Sequence, residues 1–445
     1  MAEIAGFRGL LYNAPKLDMS AVLAPPYDVI DDAGRKVLAK QSDKNCVRII
    51  IPQADEPGDA KYQAAADLIQ KWMSEEVLVR DEAPAIYRYH QVFRHAELGT
   101  KEVVRRGFIA AVRLHEFDEG VILPHERTLK GPKVDRLKLW DATRCHLSQI
   151  FTLYSDPSGE VDTLFKDAEQ EAPTIDGTTA DGTRHLLWRV SDPKTLARVT
   201  GCMDGKSLYI ADGHHRYETM LALRSKLLEE GGDVSPQSSA RFGMMFLANI
   251  DDPGLVVLPT HRMVHSVASF DVASLRASLS EFFVAEELPL PADSAEGGLA
   301  IRKALNKAAG QGTSFALVIP GESQATILTL RDDVDVKAIG LRGSKETLAL
   351  DVTLLHELVL EKLLGIDRAA QEAKTNIDYI KDTKKAIDRC NAREGQACFL
   401  MNASPVSQVV AVSNAGEVMP QKSTFFYPKI ASGMVFNPVD VDETL

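Results

Sequence analysis

Cysteine is scarce in this chain, and long apolar runs are missing. The five cysteines in 445 residues (Cys46, Cys145, Cys202, Cys390, Cys398) are odd in number, scattered and never spaced C-x-x-C. Neither a disulfide framework nor a thiolate zinc site is indicated, and buried free thiols are the simpler expectation. The longest uncharged stretch, 395–416, is broken by Gln396, Asn402, Ser404, Pro405 and Gln408, which a bilayer core would not tolerate, so no membrane span is expected. The start, MAEIAGFRGLLYNAPKLD, has no cationic stretch followed by an apolar run, so a secretory signal is not visible and a cytoplasmic location is expected.

Positive charge is also in deficit, at 51 Lys plus Arg against 63 Asp plus Glu, a net −12. A surface built to neutralise nucleic-acid phosphates or to sit on anionic membranes needs clustered cations, so neither partner is expected. Walker A, G-x-S-x-G, G-x-G-x-x-G and H-E-x-x-H sequences are all lacking, which removes the common nucleotide, hydrolase and zincin fingerprints. There is no internal repeat.

What is present has the texture of a mixed α+β protein of several packing units, since the length exceeds one core. Residues 1–80 read as a layer containing an amphipathic helix near 61–76, where Ala65, Leu68, Ile69 and Trp72 recur at helical spacing. AIYRYHQVF and VVRRGFIAAVRLHEF read as paired strands, and KSLYIADGHHRYETMLALRSKLLEE as strand, tight turn and helix. FGMMFLANI and LVVLPTHRMV follow as buried strands. Residues 269–345 alternate helix and strand like a separate small α+β insertion. Then come an amphipathic helix, DVTLLHELVLEKLLG, with Val352, Leu354, Leu355, Leu358, Val359 and Leu363 on one side, and a βαβα segment whose last helix is capped by Ser404 with Pro405 at its first position. The boundaries expected are 1–80, 81–268, 269–345 and 346–445.

The sharpest chemical feature is ADGHHRYET, where Asp212, His214, His215 and Arg216 crowd around Gly213 at a helix start. Unpaired backbone N–H groups and the helix dipole make such a terminus an anion site, and Arg adds a bidentate fork. The plainer alternative is an Asp N-cap with surface histidines. Between Pro124 and His146, six cations (Arg127, Lys130, Lys133, Arg136, Lys138, Arg144) face three carboxylates (Glu126, Asp135, Asp141), a local +3 in an acidic chain. Glu126 beside His125 suits a general base or metal ligand. Lys422, Ser423 and Thr424 offer a cation and two hydroxyls for phosphate, and Tyr27, Asp28, Thr260, His261 and Arg262 are further polar groups.

Taken together, PPYDVI, LPHERT, PKVDRLKL, ADGHHRYET, LPTHR and MPQKSTFFYPK resemble a long-chain family of unknown-function domain proteins across essentially the whole chain. That family is in turn similar to free L-serine kinases of the ParB/sulfiredoxin superfamily, which make O-phosphoserine from serine and a nucleotide. The resemblance implies an α+β, ParB/sulfiredoxin-like catalytic core with an N-terminal layer, the insertion and the C-terminal segment around it. It implies that Glu126 is the general base, with His125 or a histidine of the pair His214 and His215 orienting it. Gly213, His214, His215 and Arg216 would bind the phosphates of ATP or ADP with Lys422, Ser423 and Thr424 alongside, and Asp212 would hold Mg²⁺ through water. Arg127, Lys133 or Arg136 would take the amino acid's carboxylate, with His261 or Tyr27 substituting where the kinases' Arg-His pair falls on Phe425 and Phe426. His214 stands where sulfiredoxins need a nucleophilic Cys, so sulfinic-acid reduction is not expected. The rivals are a metal-dependent hydrolase using His125, Glu126, Asp212, His214 and His215, and a non-catalytic nucleotide-binding module.

Overall fold

The run VVRRGFIAAVR is rich in β-branched and aromatic residues, and it forms an eleven-residue strand at the centre of a sheet. The computed structural model describes residues 2–54, 58–126 and 131–445, the side chains of 131 and 132 aside. The chain divides into two units, the first made of 1–124, 128–256 and 428–445, the second of 125–127 and 257–427. The architecture is mixed α+β. Among the described residues no helix is long and apolar enough to cross a membrane.

In the first unit the strands are β1 (Ile4–Ala5), β2 (Ile86–Phe93), β3 (Val103–Arg113), β4 (Ile122–Leu123), β5 (Ile150–Tyr154), β6 (Ile175–Thr178), β7 (Arg184–Val190), β8 (Leu208–Asp212) and β9 (Phe242–Asn249). They form one sheet among the described residues, in the order β4-β8-β5-β9-β3-β2-β7-β6, with β1 beside β3. β2 and β3 are antiparallel, with Tyr87 opposite Ile109 and Phe93 opposite Val103. Phe108 through Val112 and all of β9 are buried, which accounts for continuous rather than alternating apolar sequence.

The helix expected near 61–76 is α1 (Ala60–Ser74), which buries Tyr62, Ala65, Ile69 and Trp72. The Phe7 ring lies 5.1 Å from that of Tyr87 in β2, so the N-terminal layer is part of this unit. The last residues belong to it too: Ala24 and Ser432, and Leu10 and Phe436, form antiparallel bridges, and Asn437 pairs with His146.

The second unit is built on β10 (His261–Val264), β11 (Phe283–Pro289), β12 (Ser314–Val318), β13 (Gln324–Leu330), β14 (Ile377–Ile380) and β15 (Ala397–Met401), all antiparallel in the order β11-β13-β12-β15-β10-β14. Residues 269–345 are therefore no separate insertion. β12 is buried along its length and pairs with β15, so the expected insertion and C-terminal segment share one sheet, and β10 joins them rather than the preceding core.

Two local expectations also change. DVTLLHELVLEKLLG starts as an α-turn at Asp351–Thr353 and then runs as a π-helix over Leu354–Leu363. The i→i+5 bonding rotates Leu363 partly out, while Leu360 is buried in its place. Gly365, at φ +69°, ends it. The last helix is Val406–Asn414 with Pro405, not Ser404, at its N-cap. The Ser404 hydroxyl instead donates to the Ser423 carbonyl at 3.3 Å.

Candidate functional site

In the first unit, β8 feeds through Gly213 into α2, as the helix His214–Gly231 is labelled here. Gly213 is the N-cap, in a left-handed conformation at φ +96°. Asp212 is therefore not the cap, and no side chain caps this start. A Cβ on Gly213 would meet the Arg216 guanidinium at 3.0 Å, so glycine is needed for both backbone angle and space.

Arg216 is 3% exposed. Its Nη2 donates to Oδ2 of Asp212 at 2.7 Å and its Nη1 to the Gln149 carbonyl at 2.5 Å. The other carboxylate oxygen, Oδ1, accepts from Nζ of Lys429. Burial alone would raise the Asp212 carboxyl, but Lys429 and Arg216 beside it hold it well below the usual range.

Lys429 is itself held by buried polar side chains. The Gln91 amide donates to the Lys429 carbonyl at 2.9 Å, and Nη2 of Arg105 to that of Pro428 at 2.5 Å. Nε2 of Gln149 donates to the carbonyl of Ala431 at 3.1 Å. Arg105 is fully buried over the Phe151 ring, 4.6 Å from its centroid. Burial lowers its guanidinium to about 9, against the opposing pull of Tyr89, Asp212 and Asp252.

Tyr27 joins this group. Burial raises its phenol, Arg216 and Arg136 oppose that, and Asp28 and Asp212 add to it. The Arg136 guanidinium lies 4.4 Å over the Tyr27 ring. His214 is buried and His215 half-buried on the first turn.

The four described cations of the stretch before His146 are all paired in three dimensions. Lys133 pairs with Glu218, Lys138 with Asp59, Arg144 with Asp141 and Glu230, and buried Arg136 with Asp135 and the Ile50 carbonyl. Glu218, Asp59 and Glu230 thus reach these cations from distant parts of the sequence, and Lys133 and Arg136 are engaged within the fold rather than held out for a substrate carboxylate. Arg127 and Lys130 lie outside the described residues.

In the second unit, His125 and Glu126 run parallel to the segment around Met419, whose N–H donates to the His125 carbonyl at 2.8 Å. His125 is 1% exposed, and its Nε2 shares a 2.8 Å hydrogen bond with Oγ1 of Thr424. This brings Glu126 and Lys422–Thr424 into one neighbourhood. Ser423 is buried, its hydroxyl donating to Pro420. Lys422 is exposed, with a strained φ of +58°, and its carbonyl accepts from Nη2 of Arg262 at 3.1 Å. Burial lowers Arg262 to about 10, with Tyr379 and Glu126 opposing.

His261 is not part of this group. The Met401 N–H donates to its Nδ1 at 3.1 Å, so the ring hydrogen sits on Nε2 and goes to Oγ1 of Thr383 at 2.9 Å. Burial lowers this imidazole to about 3. Both nitrogens are used within the unit, one by the neighbouring strand and one by the helix start at Thr383, so no capacity is left for substrate. Phe426 is buried edge-on to His125, and Nζ of Lys381 lies 4.0 Å over the Phe425 ring.

A family model described as a protein of unknown function (DUF1015) matches residues 4–353. The chain belongs to the DUF1015 family. The match covers His125, Glu126 and Asp212–Arg216 but stops short of Lys422–Lys429. No curated protein matches the sequence. Solved structures similar to this DUF1015 protein include a free serine kinase variant in complex with ADP, at 12% identity over 76% of this chain and 94% of that one, TM-score 0.35. A conserved hypothetical protein from Pyrococcus furiosus gives 15%, 76%, 97% and 0.34 in the same order. A C-terminally truncated SbnI from Staphylococcus aureus gives 10%, 73%, 85% and 0.32. TM-scores of this size carry no inference about activity, which has to come from the residues.

Chemically, the first unit of this DUF1015 protein offers an anion a helix start with no side-chain cap, flanked by Arg216 and Lys429. Asp212 already spends both oxygens on those cations, so the expected Mg²⁺ role does not fit it as it stands. Among the described residues no group of three or more His, Cys, Asp and Glu is placed to hold a metal, and the hydrolase reading gains no support. Lys429, Gln91, Arg105 and Gln149 were not singled out in the sequence. A signal was available for Gln91 and Arg105, polar residues inside strand runs and buried there, the informative kind of burial.

Proposed function

We propose that this DUF1015 protein is a nucleotide-dependent phosphotransferase acting on a small hydroxyl-bearing amino acid, L-serine first. The observation that carries the reading is the Asp212 carboxylate held between Arg216 and Lys429 at the uncapped start of α2. It fixes two cations where backbone N–H groups and the helix dipole already favour an anion. Phosphoryl transfer is mostly positioning and charge neutralisation, so such a cradle is the costly part of the machinery.

The donor is written as the magnesium complex of ATP or ADP, because Mg²⁺ commonly arrives on the phosphates with few protein ligands. The N–H groups of His214–Arg216 and the Arg216 and Lys429 cations would receive the donor phosphates. Glu126 would take the proton from the acceptor hydroxyl. That oxygen then bonds to the terminal phosphorus as the bond to the nucleotide's bridging oxygen breaks, leaving a phosphoserine and the shortened nucleotide. His125, buried and bonded to Thr424, would position Glu126 through the backbone they share. ParB/sulfiredoxin-like topology of the first unit's core belongs to the same proposal.

Protein incubated with L-serine and Mg-ATP or Mg-ADP should yield O-phosphoserine, read by phosphorus NMR. Glu126→Gln should abolish the product with an unchanged circular dichroism spectrum. No product across hydroxy amino acids and nucleotides would overturn the reading. Phe425 and Phe426, where the kinases carry Arg-His, favour one second reading, nucleotide binding without turnover, for which calorimetric binding with no product is the signature.

A further inference from the structure

The second unit contains a cavity of about 100 Å³ that the phosphotransferase reading does not use. That volume is roughly the share of three liquid waters, too small for a nucleotide. It has Glu357, Glu361 and Arg368 in common with a wider cleft of about 930 Å³, so a ligand has a way in.

One wall comes from the turn and π-helix of residues 351–363, a rare geometry found often at functional sites. Thr353, Glu357 and Glu361 recur every four residues and all line the cavity. Two carboxylates at that spacing repel each other. Burial raises the Glu357 carboxyl and Glu361 adds to this, while the hydrogen bond it accepts from the Arg342 backbone N–H, then Arg368 at 3.9 Å and Lys362, offset only part of it.

The Thr353 hydroxyl is the second, independent sign. Thr353 is 0% exposed, and its Oγ1 has no hydrogen-bond partner among the described residues. A buried hydroxyl in that condition calls for an explanation. His356 and Gln371, also in the wall, satisfy each other: Nδ1 of His356 bonds Oε1 of Gln371 at 2.7 Å, and Nε2 of Gln371 donates to the Ile366 carbonyl at 2.8 Å. The polar capacity left for a ligand is thus the Thr353 hydroxyl, Glu361 and the lone pairs of Glu357 beyond the one that accepts from the Arg342 N–H. With Glu357, Glu361 and Glu372 against Arg368, the lining is acidic.

We propose that this cavity binds a small organic cation, a primary ammonium on a short chain that also carries a hydrogen-bonding oxygen. The ammonium hydrogens go to the Glu357 and Glu361 carboxylates, the oxygen partners the Thr353 hydroxyl, and the carbon chain lies against Tyr379 and Met419. A dehydrated divalent metal is a poorer match, because it needs six or more oxygen ligands. The inference stands whether or not the chain is a phosphotransferase.

The test is calorimetric titration of the full chain with ethanolamine hydrochloride. Saturable binding is expected, weakened at least tenfold in Glu357→Gln/Glu361→Gln and in Thr353→Val. The double glutamine variant removes repulsion and should melt at or above the wild-type temperature without ligand, so lost binding would not reflect lost folding. Three outcomes overturn the proposal: no saturable binding of ethanolamine or putrescine, unchanged affinity in the glutamine variant, or a site filled by MgCl₂ alone while the amines do not bind.

Discussion

Arg262 donates its Nε hydrogen to Nε2 of His356 at 3.0 Å, which fixes the imidazole as the neutral Nδ1–H form. A second ring hydrogen would point at a guanidinium, and burial together with Arg262 pushes His356 well below its ordinary pKa. Three more histidines are buried neutral: His146 and His261 at about 3 and His185 at about 4, in each case first through burial.

Stability should therefore fall with pH below about 6.5. The folded pKa values lie under the unfolded one, so between about 6.5 and 4 the unfolded chain binds more protons, and folding loses about 1.4 kcal/mol per unit for each histidine. Asp351, pushed up to about 6 by burial, runs the other way and offsets one group at most. Urea denaturation from pH 7.5 to 5 should show the loss. His146→Leu should flatten the slope by one proton, since Nδ1 of His146 has no partner among the described residues.

Two glycine substitutions should have opposite signs. Gly213→Ala places a side chain in the left-handed region, which costs about 1–2 kcal/mol, and also presses on Arg216. Phosphate or nucleotide binding should weaken at least tenfold. Gly201 lies inside the helix Pro193–Met203, and a Cβ there would meet nothing within 4 Å, so Gly201→Ala should gain roughly 0.5–1 kcal/mol and leave binding alone. Denaturant midpoints and phosphate titration check both.

Gln91→Leu should cost about 1–3 kcal/mol, because Nε of buried Arg105 donates to Oε1 of Gln91 at 3.1 Å and the Lys429 carbonyl accepts from the Gln91 amide, and both bonds would be lost. Arg216→Met should also cost about 1–3 kcal/mol, as it strands the Gln149 carbonyl while Lys429 still neutralises Asp212. Lys429→Met should be mild for stability, since this lysine is partly exposed, but should weaken nucleotide binding. A split between unfolding and binding measurements separates the three roles.

Thiol titration should find one reactive cysteine out of five in the native protein. Cys46, Cys145, Cys390 and Cys398 are buried, with burial raising every one of these thiols, whereas Cys202 is half-exposed. Cys202 should still react slowly, because burial and then Glu160 raise it too. Cys202→Ser should abolish the native-state reaction, and denaturant should release the other four.

Much of the local structure was legible in the sequence. Strands around Tyr87 and Ile109, the turn at Gly213 and the helices at 60–74 and 383–391 follow from periodicity, glycine and capping. Long-range pairing was not. Nothing in the sequence near Ser314 says that its strand lies beside Phe399, and nothing near Lys133 announces Glu218. The candidate site was half legible for the same reason. Asp212 and Arg216 are four residues apart and stand out, but the partner on the other oxygen, Lys429, comes from 217 residues further on, and Gln91, which holds its carbonyl, looks like an interruption in a strand. His261 shows the converse, a chemically attractive residue that the fold uses up internally.

The return of residues 428–445 to the first unit has a consequence for biosynthesis. A ribosome has made every strand of that unit's sheet once Asn249 is added, yet Lys429 follows Asn249 by roughly 180 residues, about 9–36 s at ~5–20 residues per second. Throughout that interval Asp212 has one cation rather than two, and the Gln91 and Gln149 amides lack the carbonyls of Lys429 and Ala431. A nascent chain can thus carry a nearly finished first unit whose anion cradle stays incomplete until translation is almost over.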